Sequence, residues 1–353
     1  MKKYYSLLFA LLAVMAMALV FVSCEKEINH EDPKPEPKPE SKYQMTFTTE
    51  HPVGSKMWLF LKRGEQPTEV IGAKEIYDEN PFDGDTNPFD GSSDNGEIIL
   101  GLELEKQTVT IKGDITYITF YEPMLTALDV SKNPILEYLY IHYNISTLTS
   151  LDVSKNTALT TLICFGCQLK ELDVSKNTAL QVLSCNENNL TSLDVSKNTE
   201  LYAFSCAYNQ LTTLDVSKNK ALKFLGCDGN DFSSIDVSNN TKLERLSCSS
   251  NNLSSLDVSK NTELGSLDCY NNKLTSLDIS KNPKLKKLHC YCNQIKTEEM
   301  SKLVDALPSW PPQTYVLEVS IYPVKPSSPE EQNEITEEAI KIAEDKNWSM
   351  IIY

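Results

Sequence analysis

The chain has 353 residues, a formal charge of −16 and only 4 His. Its length allows one elongated domain with end pieces, or two to three compact ones. The acidic balance argues against nucleic acid, which needs a basic face, and against broad attraction to anionic membranes. Four His leave few groups for acid–base chemistry at neutral pH.

Residues 1–24 read as a targeting segment. Lys2 and Lys3 precede an almost wholly apolar run over 7–22 that stops at Ser23-Cys24. A plain secretory signal ends at a small-residue cleavage site. Phe21-Val22-Ser23-Cys24 instead resembles a bacterial lipobox, in which the cysteine is lipidated and becomes the mature N-terminus. Cys24-Glu25-Lys26-Glu27 is also similar to the export signal of lipoproteins on the outer surface of some Gram-negative bacteria. The resemblance implies a lipid anchor on Cys24, an outer-membrane location and exposure at the cell surface. A transmembrane anchor is the alternative, opposed by the charges that follow the run at once.

Residues 25–42 alternate Pro with charge, as in Pro33-Lys34-Pro35-Glu36-Pro37. Such a tract favours polyproline II and forms no core. At ~3.1 Å per residue it holds the folded part up to roughly 50 Å from the lipid.

Residues 43–112 read as a small β-rich N-terminal cap, with strands expected over 45–48, 57–61, 98–104 and 109–111. Between them lies an acidic loop with Asn-Pro-Phe-Asp-Gly twice, at 80–84 and 87–91. Asp83, Asp85 and Asn87 are similar to the first half of a calcium loop. Pro88 and Asp94 stand where that loop needs Gly and Glu. A solvated loop is therefore the first reading and calcium the second.

Over residues 113–295 a pattern returns every 21 residues. Leu180, Leu183, Cys185, Asn188, Leu190, Leu193, Asp194, Val195, Ser196 and Asn198 recur as Leu201, Phe204, Cys206, Asn209, Leu211, Leu214, Asp215, Val216, Ser217 and Asn219. A fixed period in this range marks stacked coils. Each copy nests a half-repeat, and both halves alternate inward apolar with outward polar residues, the period of a strand. Two strands per coil are expected, one on each side, with nine on the cysteine side. One coil offers about six inward apolar side chains, worth roughly 1.5–3 kcal/mol each when buried. Ordering its backbone costs about 1–2 kcal/mol per residue. A lone coil loses that balance, and stacking restores it.

The spacing L-x-x-L-x-C-x-x-N-x-L closely resembles leucine-rich repeats, with Cys in a slot usually held by Leu. The resemblance covers about half the chain. It implies a right-handed coil stack, a β-rich solenoid that binds other proteins, with adhesion or host contact a common use.

After Ile295 the period stops. Residues 296–353 read as an α/β C-terminal cap over the open core. A helix is expected over 298–307 with Thr297 as N-cap, a strand over 315–321, a helix over 336–345 and a strand over 348–353.

Cys164, Cys185, Cys206, Cys227, Cys248, Cys269 and Cys290 occupy the same inward slot, where a small apolar residue packs well. In-register side chains point the same way, so buried free thiols are expected, although export often brings disulfides. Cys164/Cys167 and Cys290/Cys292 leave a metal site as a weak alternative. Asn188, Asn209, Asn230, Asn251 and Asn272 are expected inside, bonded to backbone. The outward row Asp173, Asp194, Asp215 and its kin is expected to brace a turn and pair with Lys176, Lys197 and Lys218. A calcium row is the alternative.

No Ser–His–acid order, His-Glu-x-x-His or phosphate loop occurs, so neither enzyme activity nor a cofactor is expected. What remains is the outward face of the cysteine-side strands. It carries Tyr117, Tyr121, Tyr138, Tyr140, His142, Tyr143, Phe165, Tyr208, Phe224, Tyr270, His289 and Tyr291, although aromatics are only 8% of the chain. A cluster of tyrosines is a binding signal. A protein partner is the primary expectation and a glycan the alternative; mere surface filling is the bland one.

Overall fold

The structure, a computed structural model, describes residues 41–62, 65–76, 97–121, 124–142, 148–311, 318–320 and 333–350. Cys24, the Pro-rich tract, Asp83, Asp85, Asn87 and Tyr143 lie outside the described residues, as does the side chain of His142. No described helix is long and apolar enough to cross a membrane. The chain forms two compact units that divide at Leu169 and Lys170, within the repeats.

The first unit contains β1 (Gln44–Thr49), β2 (Lys56–Lys62), β3 (Glu69–Ile71), β4 (Ala73–Ile76) and β5 (Glu97–Leu104). These are followed by β6 (Thr108–Lys112), β7 (Tyr117–Tyr121), β8 (Leu125–Asp129), β9 (Tyr138–His142) and β10 (Thr161–Cys164). One sheet is antiparallel in the order β3-β6-β1-β8. The other runs β4-β5-β2-β7-β9-β10 and changes character at β7. β7 pairs antiparallel with β2 but parallel with β9. The cap thus lies along the open edge of the first coil strand, which would otherwise expose unpaired backbone groups.

Alternation explains the local structure. In β1, Met45, Phe47 and Thr49 turn inward while their neighbours stay half-exposed. Phe47 meets Phe120 edge-on at 5.3 Å, joining the two sheets. Met45, Leu59, Leu61, Val109 and Ile111 complete this core. Strands β1, β2, β5 and β6 stand where alternation placed them. β3 and β4 were not anticipated, because three or four residues with Glu69, Lys74 and Glu75 carry no apolar period. Gly101 in β5 is required by a close approach: a Cβ there would collide with the Trp58 ring and the Ile76 carbonyl.

The second unit contains β11 (Val182–Ser184), β12 (Ala203–Ser205), β13 (Phe224–Gly226), β14 (Arg245–Ser247), β15 (Ser266–Asp268) and β16 (Lys287–His289). Its end piece adds α1 (Thr297–Asp305), β17 (Glu318–Ser320), α2 (Glu337–Asp345) and β18 (Ser349–Met350). All strands from β11 to β18 are parallel and in register, so Leu183, Phe204, Leu225, Leu246, Leu267 and Leu288 form one inward row. Each coil buries the same set, for example Leu180, Leu183, Cys185, Leu190 and Val195.

The second half-repeat does not form a strand in this unit. Residues such as 193–198 run as coil and turn. The serine N–H that a ladder would use goes instead to the aspartate two residues before it, as from Ser196 to Asp194 Oδ1 at 2.8 Å. Between coils, side chains replace the ladder. Asn219 Nδ2 donates to the carbonyls of Val195 (3.0 Å) and Asn198 (2.8 Å) one coil back, and Asn198, Asn240, Asn261 and Asn282 do the same. The sequence alternation was real, but it reflects an aspartate-braced turn.

The same bond corrects the charge row. Asp173, Asp194, Asp215, Asp236, Asp257 and Asp278 each accept from the serine two residues on. Hydrogen bonds from these serines hold the carboxyls below their ordinary range. Among the described residues none of them forms an ion pair with the lysine row; the lysines contribute only at longer range.

The end piece closes the stack by imitating it. Asn333 Nδ2 donates to the Cys290 carbonyl (2.9 Å) and its Oδ1 accepts from Ile295 N–H (2.9 Å). Those are the bonds each repeat asparagine makes to the coil before it. α1 and α2 pack against each other, burying Met300, Leu303 and Val304 with Ala339 and Ala343. Trp348 is buried and its Nε1 donates to the Pro308 carbonyl. Thr297 is the first helical residue rather than the cap; its hydroxyl donates to Glu334. Thr336 caps α2 through Ala339 N–H.

Candidate binding face

Alternation along each short strand sends one set of residues inward and the other to the outer face. In the second unit the outward positions of a coil are the first and third strand residues and the residue after the cysteine. The first column reads Val182, Ala203, Phe224, Arg245, Ser266, Lys287. The second reads Ser184, Ser205, Gly226, Ser247, Asp268, His289. The third reads Asn186, Ala207, Asp228, Ser249, Tyr270, Tyr291.

Behind this face the cysteines Cys185, Cys206, Cys227, Cys248, Cys269 and Cys290 are buried free thiols. Burial pushes most of these thiols well above their ordinary range. In the first unit Cys164 is likewise buried and raised to about 12 by desolvation. Cys167 fills the slot of the turn asparagine and its thiol donates to the Phe165 carbonyl at 3.7 Å. The nine described cysteines form no disulfide, and no group of three or more described His, Cys, Asp or Glu could hold a metal.

The asparagines at the strand ends fix the face. Asn251 Nδ2 donates to the carbonyls of Cys227, Cys248 and Ser249, and its Oδ1 accepts from Phe232 N–H. The residue before each of them is forced into the left-handed region: Glu187, Tyr208, Gly229, Ser250, Asn271 and Cys292 have φ between 50° and 62°. The asparagine spacing marks a turn here, but not that the residue before each asparagine takes a positive φ. Gly229 and Asn271 at one offset were the available signal, since both residue types tolerate positive φ.

The predicted aromatic residues divide into three groups. In the first unit Tyr117 and Tyr138 are half-exposed and stack with ring centroids 4.0 Å apart and planes 11° apart. Tyr121 is half-exposed. Tyr140 and Phe165, expected on an open surface, are instead buried at 4% and 3% exposure. Tyr140 lies between Thr119 and Ile163 in register, both also buried, and burial pushes its hydroxyl up strongly. Facing outward from a strand did not leave them open to a partner.

In the second unit Tyr270 and Tyr291 stack at 4.5 Å with planes 5° apart. Arg245 lies 5.9 Å from the Phe224 ring centre. Tyr208 stands on the turn, and its ring covers Gly229, where a Cβ would come 2.5 Å from Cδ1. His289 Nδ1 pairs with Asp268 at 2.6 Å. The acid at 228 and the serines at 247 and 249 were not picked out from the sequence. Nothing in a single repeat distinguishes a buried Asp from the Asn that occupies its place elsewhere.

Comparison with known proteins agrees with this architecture. The leucine rich repeat family model matches residues 270–287. The functional domain of InlJ from Listeria monocytogenes, which includes a cysteine ladder, is 32% identical, with a TM-score of 0.53 over 67% of this chain and 59% of that one. A leucine-rich-repeat protein of Leptospira interrogans is 21% identical, with a TM-score of 0.52 over 66% of this chain and 57% of that one. The chain therefore spans less than two thirds of either of those proteins. No curated protein sequence matches it. The 21-residue period, the parallel strand rows and these likenesses together identify the fold as a leucine-rich-repeat β-solenoid.

Proposed function

We propose that the chain is a cell-surface scaffold that binds a protein through the outer face of its cysteine-side strands. Leucine-rich-repeat folds are generally protein-interaction scaffolds. The observation that carries the reading is the pair of stacked, half-exposed tyrosines Tyr117 and Tyr138. Inward positions are fixed by packing and turn positions by Asn, so the outward strand positions are where coils differ. Tyr gives large contact area with little entropy to lose. A lost anchor of this kind typically costs more than ~1–2 kcal/mol.

Changing Tyr117→Ala with Tyr138→Ala should lower protein capture from the organism's natural surroundings at least tenfold at an unchanged thermal midpoint. Lys197→Ala with Lys218→Ala should leave capture intact. The reverse outcome would place the working face on the aspartate side. Glycan-array binding that the tyrosine pair abolishes would make the ligand a sugar.

Surface display rests on Cys24. Its lipobox-like context supports a lipid anchor in the outer membrane. Cys24→Ala should then move the protein out of the membrane fraction or block its maturation, and unchanged partition would remove the anchor from the account.

A further inference from the structure

We infer that the outer face of the second unit holds a site for a cationic side chain, lysine or arginine, of a protein partner, centred on Asp228 and walled by Tyr208 and Tyr270. The inference deepens the reading of this face as a protein-binding surface and rests on it.

The key observation is a comparison within the chain. Asn186 and Asp228 occupy the same column two coils apart. Asn186 Oδ1 accepts from Ser205 Oγ (2.7 Å) and Ala207 N–H (2.8 Å). Asp228 Oδ1 accepts from the Ser247 hydroxyl and from Ser249 N–H (3.0 Å). An amide therefore does everything structural that the carboxylate does. The fold asks for one oxygen and receives a charge as well.

That charge is badly placed for stability. Asp228 is 7% exposed, and no described cation lies within ion-pair distance of it. Burial raises its carboxyl to about 6 against the pull of its hydrogen bonds. Both bonds fall on Oδ1; among the described residues Oδ2 accepts none. Beside it, Ser249 Oγ is buried without a partner. Ser249 Oγ is sealed inside at 0% exposure, whereas Asp228 Oδ2 is not among the sealed, unpaired oxygens and is the atom a donor from outside would reach.

The surroundings select the donor. Tyr208 closes over Gly229, next to Asp228. Tyr270 is held flat by Tyr291. Burial and the nearby Asp228 charge raise both hydroxyls, so the rings stay neutral. A carboxylate near two aromatic side chains suits a monocation, which gains from ring faces and from a charge-assisted hydrogen bond. Asp268, the next acid, is already engaged by His289 (2.6 Å) and approached by Lys287 (4.0 Å). Asp228 is the carboxylate left over, on a chain of net charge −16.

The titratable groups around Asp228 are Tyr208, Tyr270 and Asp268, the last with His289 and Lys287. Inward lie the Cys206, Cys227 and Cys248 thiols, kept neutral by burial. Binding should therefore follow ionisation of Asp228. At pH 5 about a tenth of a carboxyl with a pKa of about 6 is ionised, so affinity should fall about tenfold between pH 7.5 and 5.

The test uses the full chain in detergent with acetyl-Gly-Arg-Gly-amide and its Lys counterpart, followed by saturation-transfer NMR at low salt. Both should bind at pH 7.5, weaken with salt and weaken about tenfold at pH 5. The citrulline peptide, neutral but the same shape as Arg, should bind at least tenfold less tightly. Asp228→Asn should abolish both the preference for Arg and the pH dependence with an unchanged circular dichroism spectrum, because Asn186 shows that the amide fits. Tyr270→Ala should weaken both cationic peptides. Equal binding of the citrulline peptide, or retained binding by Asp228→Asn, would overturn the site. A neutral oligosaccharide competing for the same place would replace the cation with a sugar. These peptides probe Asp228 alone, so their failure leaves the Tyr117–Tyr138 reading intact, and the two failures are told apart by which variant loses which ligand.

Discussion

Asn251→Ala should lower the thermal midpoint by about 10 °C, from a loss of roughly 3–5 kcal/mol. The side chain serves two coils. Its Nδ2 donates to Cys248 (3.1 Å) and Ser249 (3.1 Å) in its own turn and to Cys227 (3.1 Å) in the coil before. Its Oδ1 accepts from Phe232 N–H, also in the coil before, at 3.1 Å. Alanine leaves that N–H and the Cys227 carbonyl without their asparagine partner where water is excluded. An unsatisfied buried group costs about 1–3 kcal/mol, and several are exposed at once. In a repeat array the loss falls on a nearest-neighbour interface, so the damage spreads to both coils. Scanning calorimetry of Asn251→Ala beside Lys260→Ala checks the point. A fall of only a degree or two would mean that backbone and leucine packing suffice without the ladder.

Asp228→Asn should have the opposite effect and stabilise the protein at pH 7.5 by up to about 3 kcal/mol. The carboxyl titrates at about 6 in the folded chain and near 3.8 when unfolded. Between those values the folded state keeps a proton that the unfolded state has lost. Stability therefore falls as pH rises through that window and stays lower above it. Two units of difference correspond to about 3 kcal/mol. The asparagine variant lacks this penalty, so its unfolding curve should lie above the wild type at pH 7.5 and converge with it near pH 4. Below pH 4 both proteins should weaken together. There the aspartates braced by serines, whose carboxyls are depressed, lose ionised forms that the folded state favours. Curves that stay parallel from pH 4 to 7.5 would show that Asp228 carries no penalty. A residue that lowers stability while repeating a bond available to asparagine fits the trade of stability for function.

The solenoid was legible because every coil solves the same packing problem. Leu183, Cys185 and Asn188 recur with no slack in spacing, so period alone located core and turn. The opposite side misled for a definite reason. Leu193, Asp194 and Val195 alternate as a strand does, yet Asp194 takes the Ser196 N–H and prevents a ladder. Alternation reports which way side chains point, not where backbone hydrogens go. Tyr140 and Phe165 failed similarly: their outward direction followed from the strand, but burial depends on neighbours such as Thr119 and Ile163. Tyr117 and Tyr138 are 21 residues apart, and their stacking follows from register once the coils are known. Asn333 was invisible because it completes the ladder from the end piece, where no period announces it. Asp228 needed the hydrogen-bond comparison with Asn186, since an acid in a column that also holds Asn, Ala, Ser and Tyr looks like ordinary variation.

The borrowed rung at Asn333 bears on how such a chain can change its copy number. Two of its bonds follow the repeat pattern, to a cysteine-position carbonyl and from the N–H five residues later, at Cys290 and Ile295. Those groups recur at every coil, for instance at Cys269 and Leu274, where Asn293 takes the equivalent bonds. This part of the junction therefore reads groups common to every coil, while the Lys296–Glu334 pair and Lys286 over the Trp310 ring belong to the last one alone. An in-frame gain or loss of one 21-residue unit by recombination presents the end piece with the same donor and acceptor. Array length is free to drift under selection for reach or contact area while the terminus stays the same, and the outward columns supply the variation that selection can sort.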